Sequence, residues 1–399
     1  MPHISRLAEK LPQSAIRALT PFAEQAEADG VKVYHLNIGA PDIKSPQSAV
    51  DALHNFSFDH LPYSNSLGTR ELRRAFLDKY YNKLGLNLSM DDIMVTTAGS
   101  EALDIFFQVT SNFGDEIIVF EPFYVNYNSL ALKYGLKLVP IHTDIRQGFR
   151  LPPVEEIEKA VTPRTRAILI SNPSNPTGTV FDRQDLLAIA DICRKYDLFL
   201  GCDEVYREFC YSGKSVYSVM EIPGFEEHAI LLDSVSKRYN LCGARLGTIV
   251  SRNSEVMSLA LRLAQARLCP PVLAQAATLG ALDAPDSYFE ETRSEYIRRR
   301  DFTVAALNLI PGVYSPTPDG AFYTIAELPV ADASDLCRWL LTDWRYNGET
   351  VMLTPAAGFY VTEGQGLNQV RVAYVLEVPE LEKAMDVLKH ALAEYNNNH

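Results

Sequence analysis

Along this chain, short apolar runs alternate with longer stretches in which apolar residues recur every three to four positions. The runs are Ile93-Met94-Val95-Thr96-Thr97, Glu116-Ile117-Ile118-Val119-Phe120, Lys137-Leu138-Val139-Pro140, Arg166-Ala167-Ile168-Leu169-Ile170, Leu198-Phe199-Leu200-Gly201-Cys202 and Ala229-Ile230-Leu231-Leu232-Asp233. They have the length and composition of buried strands. Helical spacing fills the intervals at 100–109, 124–133, 154–161 and 183–195. The alternation predicts an α/β domain built on a mainly parallel sheet flanked by helices. Upstream, 13–29 reads as a helix, 31–36 as a strand, and Thr69 as the cap of a helix whose apolar face begins at Leu72, Ala75 and Phe76. Downstream, 253–267 and 272–310 read as helices. From about residue 311 the texture changes to short strands at 320–324 and 370–374 and a helix at 379–394, which predicts a smaller α+β domain. The expected division is a large domain at 46–290 and a small one combining 1–45 with 291–399.

Composition narrows the function classes. A chain of 399 residues has room for two domains, and 47% hydrophobic with 22% charged residues is ordinary for a globular protein. A net charge of −13 argues against a nucleic-acid or anionic-membrane partner. The start, Met1-Pro2-His3-Ile4-Ser5-Arg6, has no signal-peptide core, and no apolar run approaches the roughly 18–20 residues of a membrane span. The six cysteines form no C-x-x-C pair and read as reduced, which fits the cytoplasm. The eight histidines include no H-x-x-x-H or H-E-x-x-H pattern, so no metal site is expected.

The chemistry falls at the carboxyl ends of the predicted strands, where open parallel sheets bind their ligands. After 229–233 come Ser234, Ser236 and Lys237, then Gly243-Ala244-Arg245-Leu246-Gly247. A lysine held there and partly withdrawn from water is an amine nucleophile able to form a Schiff base. Two hydroxyls and an arginine beside it suit a phosphate. After 93–97 come Gly99, Ser100 and Glu101, a glycine turn opening a helix, and a helix start offers free N–H donors to an anion. Tyr124 follows the next strand, Asn175 sits in the turn after 166–170, and Asp203 with Tyr206 follows 198–202. Singly, each has a bland reading: Gly99 a plain turn, Tyr124 core, Asn175 and Asp203 caps of their own local structure. Together they fit pyridoxal 5'-phosphate (PLP). Asp203 would keep the pyridine nitrogen protonated, Tyr206 and Asn175 would donate to the phenolic oxygen, and Tyr124 would stack on the ring.

These motifs resemble the class I aminotransferases of PLP fold type I, the aspartate aminotransferase superfamily. The matches run in family order from Ser14-Ala15-Ile16-Arg17 and Ile38-Gly39-Ala40-Pro41-Asp42 through Tyr63 with Gly68 and Asn172-Pro173-Ser174-Asn175-Pro176-Thr177-Gly178. They continue through Asp203-Glu204-Val205-Tyr206, the Ser-x-Ser-Lys and Gly-x-Arg-x-Gly motifs at 234–247, and Val370-Arg371-Val372. The resemblance implies that Arg371 binds the substrate α-carboxylate, that Gly39 contacts substrate from a mobile small domain, and that Tyr63 reaches the phosphate of a partner subunit in a homodimer. It implies a ping-pong transfer of an amino group from an L-amino acid to a 2-oxo acid, with aspartate and 2-oxoglutarate the preferred pair. Ala244 stands where many relatives carry a large aromatic, and Ser100-Glu101 lacks the lysine of some aspartate-specific relatives. Arg17 and Arg238 could still meet a side-chain carboxylate, each with a surface or structural role as the plainer reading. Two alternatives stay open: a PLP-dependent carbon–sulfur β-lyase, and a non-catalytic PLP-sensing module, for which the N-terminal residues leave no room for a DNA-binding segment. A nicotinamide dehydrogenase is excluded, because no G-x-G-x-x-G follows a strand.

Overall fold

The computed structural model describes residues 2–12, 14–213 and 216–398. The strands run in chain order as β1 Lys32–His35, β2 Ile93–Thr96, β3 Glu116–Glu121, β4 Lys137–His142, β5 Thr165–Ser171, β6 Phe199–Asp203, β7 Ala229–Ser234, β8 Gly247–Val250, β9 Tyr323–Glu327, β10 Glu349–Met352, β11 Thr354–Pro355 and β12 Gln369–Ala373. Seven of them form one sheet in the order β2-β8-β7-β6-β5-β3-β4. The strands from β7 to β4 in that order are parallel, while β8 is antiparallel to both neighbours.

Both faces of this sheet are covered, as a parallel sheet requires. Strand alternation sorts the apolar residues between them. Ile117, Val119, Leu169 and Ile230 join the core beneath the helices Ala98–Thr110, Asn126–Lys133 and Ser254–Arg267. Ile118, Phe120, Ile168, Ile170 and Leu231 join the opposite core, beneath Arg183–Tyr196 and the 70–81 segment. Thr69 caps that segment as expected, its hydroxyl accepting the Leu72 N–H at 3.3 Å.

A second body is built from both ends of the chain. β1 pairs in parallel with β10, and β11-β12-β9 form a separate antiparallel sheet. Their core joins Ala23, Ala26 and Leu36 to Tyr296, Leu340, Val372 and Leu388. The helix Asp286–Asn308 runs through the expected boundary at 290. No described helix is long and apolar enough to cross a membrane.

Several expectations are corrected. The helix expected at 13–29 begins only at Thr20, with Pro21 in its first turn, where a missing N–H costs nothing; Gln13 lies outside the described residues. The stretch 272–310 is two helices, Val272–Ala281 and Asp286–Asn308, divided just before Pro285. β8 has no separate apolar run in the sequence, because it is four residues long and its first, Gly247, is the last residue of the glycine-arginine motif. The strand expected at 320–324 is β9, starting at Tyr323.

Candidate active site

The carboxyl ends of β5, β6 and β7 and the start of the helix Ala98–Thr110 converge on one cleft. It is lined by Gly99, Ser100, Tyr124, Asn175, Asp203, Tyr206, Ser234, Ser236, Lys237 and Arg245, with Cys242 among them. The sheet order explains the meeting, since β6 lies between β5 and β7 at its centre. Gly247 makes it geometrically possible: a Cβ there would lie 2.6 Å from the Asp233 carbonyl oxygen and 2.7 Å from the Gly99 nitrogen.

Asp203 forms the floor. It is 6% exposed, accepting from Tyr127 Oη at 3.1 Å and from the Val205 N–H at 3.3 Å. Burial lifts its carboxyl from 3.8 to about 7, the two hydrogen bonds opposing that shift. On one wall, Asn175 Nδ2 donates to Tyr206 Oη at 3.4 Å, and Tyr206 Oη lies 3.0 Å from Tyr323 Oη. Burial drives the Tyr206 phenol upward and the Tyr124 phenol to about 12, so both are hydroxyl donors near neutral pH.

Lys237 occupies the one-turn helix Val235–Arg238 at the end of β7. Its Nζ donates to the Gly39 carbonyl at 2.6 Å and lies 3.6 Å from Cys242 Sγ. Beneath that turn, Arg238 is locked in a buried ion pair with Asp233 at 2.5 Å and lies over the Tyr80 ring at 3.6 Å. Tyr81 Oη and the Ser234 N–H also bind Asp233. Arg238 is therefore structural. Ser234 Oγ donates to Ser236 Oγ at 2.8 Å, while Arg245 is exposed, with a left-handed backbone.

Arg371 reaches the same cleft from β12. It is 1% exposed, donates to Asn175 Oδ1 at 3.1 Å and to the Asn37 carbonyl, and lies over the Tyr323 ring at 4.4 Å. Its Nε has no hydrogen-bond partner, and no carboxylate pairs with it among the described residues. Burial pulls its guanidinium below the ordinary value.

Glu101 and Tyr63 are not among the residues lining the cleft. The Glu101 carboxylate accepts the Thr97 N–H and pairs with Arg267 at 2.8 Å, so only its backbone N–H remains to offer an anion. Tyr63 is 79% exposed and sits outside the cleft, on a hollow with Leu61, Thr97, Arg267 and Leu273. Sequence reasoning missed Tyr127, Tyr323 and Asn37. The spacing of Tyr124 and Tyr127, one helical turn apart, was the one local signal for any of them.

A cleft with a strand-end lysine, a buried carboxylate, a helix start with serines and an unpaired buried arginine belongs to the PLP-dependent enzymes of the α/β class. The family model for aminotransferase class I and II matches residues 31–388, and the chain belongs to that family. It is 27% identical to the aspartate aminotransferase of Bacillus subtilis over 98% of this chain and 100% of that one. It is 29% identical to the aspartate/prephenate aminotransferase of Thermus thermophilus, over 96% and 97%. Among solved structures, the T. thermophilus aspartate aminotransferase with maleate superposes with a TM-score of 0.88 at 28% identity, covering 98% of this chain and 100% of that one. An alanine aminotransferase from Pyrococcus furiosus gives 0.89 at 31%, with the same coverage.

The protein is a PLP-dependent aminotransferase of fold type I. Its own residues fit the cofactor. Asp203 is a buried carboxyl that a pyridinium would complement, and the helix start beside Ser234, Ser236 and Arg245 offers donors to a dianion.

Proposed function

We propose that Lys237 holds PLP and that the cleft converts an L-amino acid and a 2-oxo acid by alternating half-reactions. The observation that carries this is the buried Arg371, with Nε unpartnered and no carboxylate beside it, bonded to the Asn175 that lines the cleft of Lys237. A buried guanidinium is costly to desolvate, and a substrate carboxylate offsets that cost with bidentate hydrogen bonds. The cofactor supplies an electron sink that stabilises negative charge at the substrate Cα. Asp203 keeps its pyridine nitrogen protonated, Tyr206 and Asn175 donate to its phenolic oxygen, and Tyr124 covers its ring. Gly99, Ser100, the Glu101 N–H, Ser234, Ser236 and Arg245 receive the phosphate, and Tyr63 reaches the phosphate of a second copy. The Lys237 amine would be the group that takes up and gives back the proton of the substrate Cα, and Gly39 would lie over the substrate.

The two domains, 46–290 and 1–45 with 291–399, close over the substrate and exclude water. Leu61, Tyr63 and Leu273 are exposed on one hollow, which supports a homodimer. The six free cysteines support a cytoplasmic location. Aspartate and 2-oxoglutarate are the proposed pair, in line with the names of the relatives. With Arg238 locked on Asp233, Arg17 is the cation left to meet a side-chain carboxylate; it is exposed, within electrostatic reach of the Tyr124 phenol.

Single additions of amino acids to the purified holoenzyme, without any oxo acid, test the reading. Aspartate or glutamate should bleach the visible absorbance, and 2-oxoglutarate should restore it. The band should be lost on borohydride treatment and be absent from Lys237→Ala. Catalytic release of pyruvate from cysteine derivatives, with no bleaching by any amino acid, would replace the aminotransferase reading with a β-lyase.

A further inference from the structure

Tyr323, the first residue of β9, carries a hydroxyl that none of the roles above uses. It is 2% exposed and held in place from several sides. Its ring lies beneath the Arg371 guanidinium at 4.4 Å and edge-on to the Tyr206 ring at 5.7 Å. Just before it, the Gly320 N–H donates to the Gly178 carbonyl and the Ala321 N–H to the Phe209 carbonyl, both at 2.8 Å, tying this end of β9 to the large domain. Gly39 leaves the space for its hydroxyl, since a Cβ at Gly39 would lie 1.5 Å from Tyr323 Oη.

Proton bookkeeping gives the hydroxyl a direction. A phenol has one proton to donate and two lone pairs to accept with. Tyr206 Oη already accepts from Asn175 Nδ2 at 3.4 Å, and Tyr323 Oη lies 3.0 Å away. If Tyr206 spent its proton on Tyr323, it would have none for a ligand in the cleft. We propose that Tyr323 is a positioning residue for Tyr206: it donates its phenolic proton to Tyr206 Oη and, with Asn175, leaves the Tyr206 proton aimed at the cofactor's phenolic oxygen. This rests on the placement of Tyr206 proposed above. A hydrogen bond received by Tyr206 polarises its own O–H and makes it the stronger donor. Among the described residues, the ionisable groups facing this chain of hydroxyls are Tyr124, Asp203, Lys237, Tyr296, Tyr374 and Arg371, and the hydroxyl that touches Tyr206 Oη from the small domain is that of Tyr323.

The test is a spectrophotometric pH titration of the visible band in wild-type holoenzyme and in Y323F, Y206F and Y206F/Y323F, with the PLP dissociation constant of each. A donor to the phenolic oxygen favours the deprotonated form of the chromophore, so losing it raises the midpoint. Y323F should raise the midpoint by about half a pH unit, a roughly three-fold change in proton affinity. Y206F should raise it further, and the double variant should match Y206F alone, because the two act through one hydroxyl. PLP affinity of Y323F should stay within about three-fold of wild type, the loss of one modest contact. A Y206F shift with an unmoved Y323F, or a Y323F shift that adds in full to that of Y206F, would overturn the role of Tyr323 alone. A Y206F titration identical to wild type would overturn both this role and the placement of Tyr206.

Discussion

Replacing Asp203 by Asn removes a charge that the fold buries before any cofactor cation accompanies it. The carboxyl is 6% exposed and lifted from 3.8 to about 7. The sign follows from proton binding. Between those values the folded chain holds the proton that the unfolded chain has lost, so folding stability falls as pH rises from about 4 through about 7, and levels off above. A difference of about three pH units at roughly 1.4 kcal/mol each amounts to ~4 kcal/mol at most. Asn has nearly the same shape and cannot ionise. It can still accept the Val205 N–H, and the Tyr127 hydroxyl can accept from its amide. Cofactor-free Asp203→Asn should therefore be the more stable protein at pH 8 by up to ~4 kcal/mol, with the margin shrinking toward pH 5. Urea unfolding of both proteins at several pH values between 5 and 8 measures this directly. Adding PLP should reverse the order, because the ligand cation stabilises the folded wild type and not the variant. A stability difference that stays constant across the pH range, or a wild type that is more stable at pH 8 without cofactor, would refute the reasoning.

Two further outcomes are expected. Arg371→Lys keeps the charge but loses the two-pronged fit, so kcat/KM for the amino acid should drop by about 10²–10³-fold with little change in urea midpoint; a loss under five-fold would mean that the carboxylate binds elsewhere. Arg238→Met leaves Asp233 buried with only Tyr81 and backbone donors, which should cost about 3–5 kcal/mol in urea unfolding, and Asp233→Asn in the same chain should recover much of it; a midpoint near wild type would show that the pair is not a stabilising lock.

What depends on neighbours along the chain can be read from the residues alone. The apolar runs of β3, β5, β6 and β7 are legible because a parallel strand buried on both faces needs a continuous apolar stretch. The Thr69 cap was legible because capping is settled within one helical turn. Lys237, Asn175 and Asp203 are legible because Asp203 ends such a strand and the other two lie within four residues beyond one, which is where an open sheet places its ligand. Where two local rules competed, the reading slipped: Pro21 drew the helix start forward to Thr20, and the glycine-arginine motif masked the four residues of β8. Side-chain direction was not legible at all. Glu101 follows the right glycine, yet its carboxylate pairs with Arg267, which lies 166 residues away.

What lies across the cleft depends on the packing of distant segments. Gly39 meets Lys237 over 198 residues of chain, and Arg371 meets Asn175 over 196. No periodicity or spacing encodes such contacts, because they depend on how both chain ends fold back into a second body against the large sheet. The same packing placed Arg238 on Asp233 rather than beside a substrate, and set the Tyr323 hydroxyl against Tyr206. Local propensity fixed each element, and burial of the two bodies' apolar faces fixed which polar groups were left to face one another.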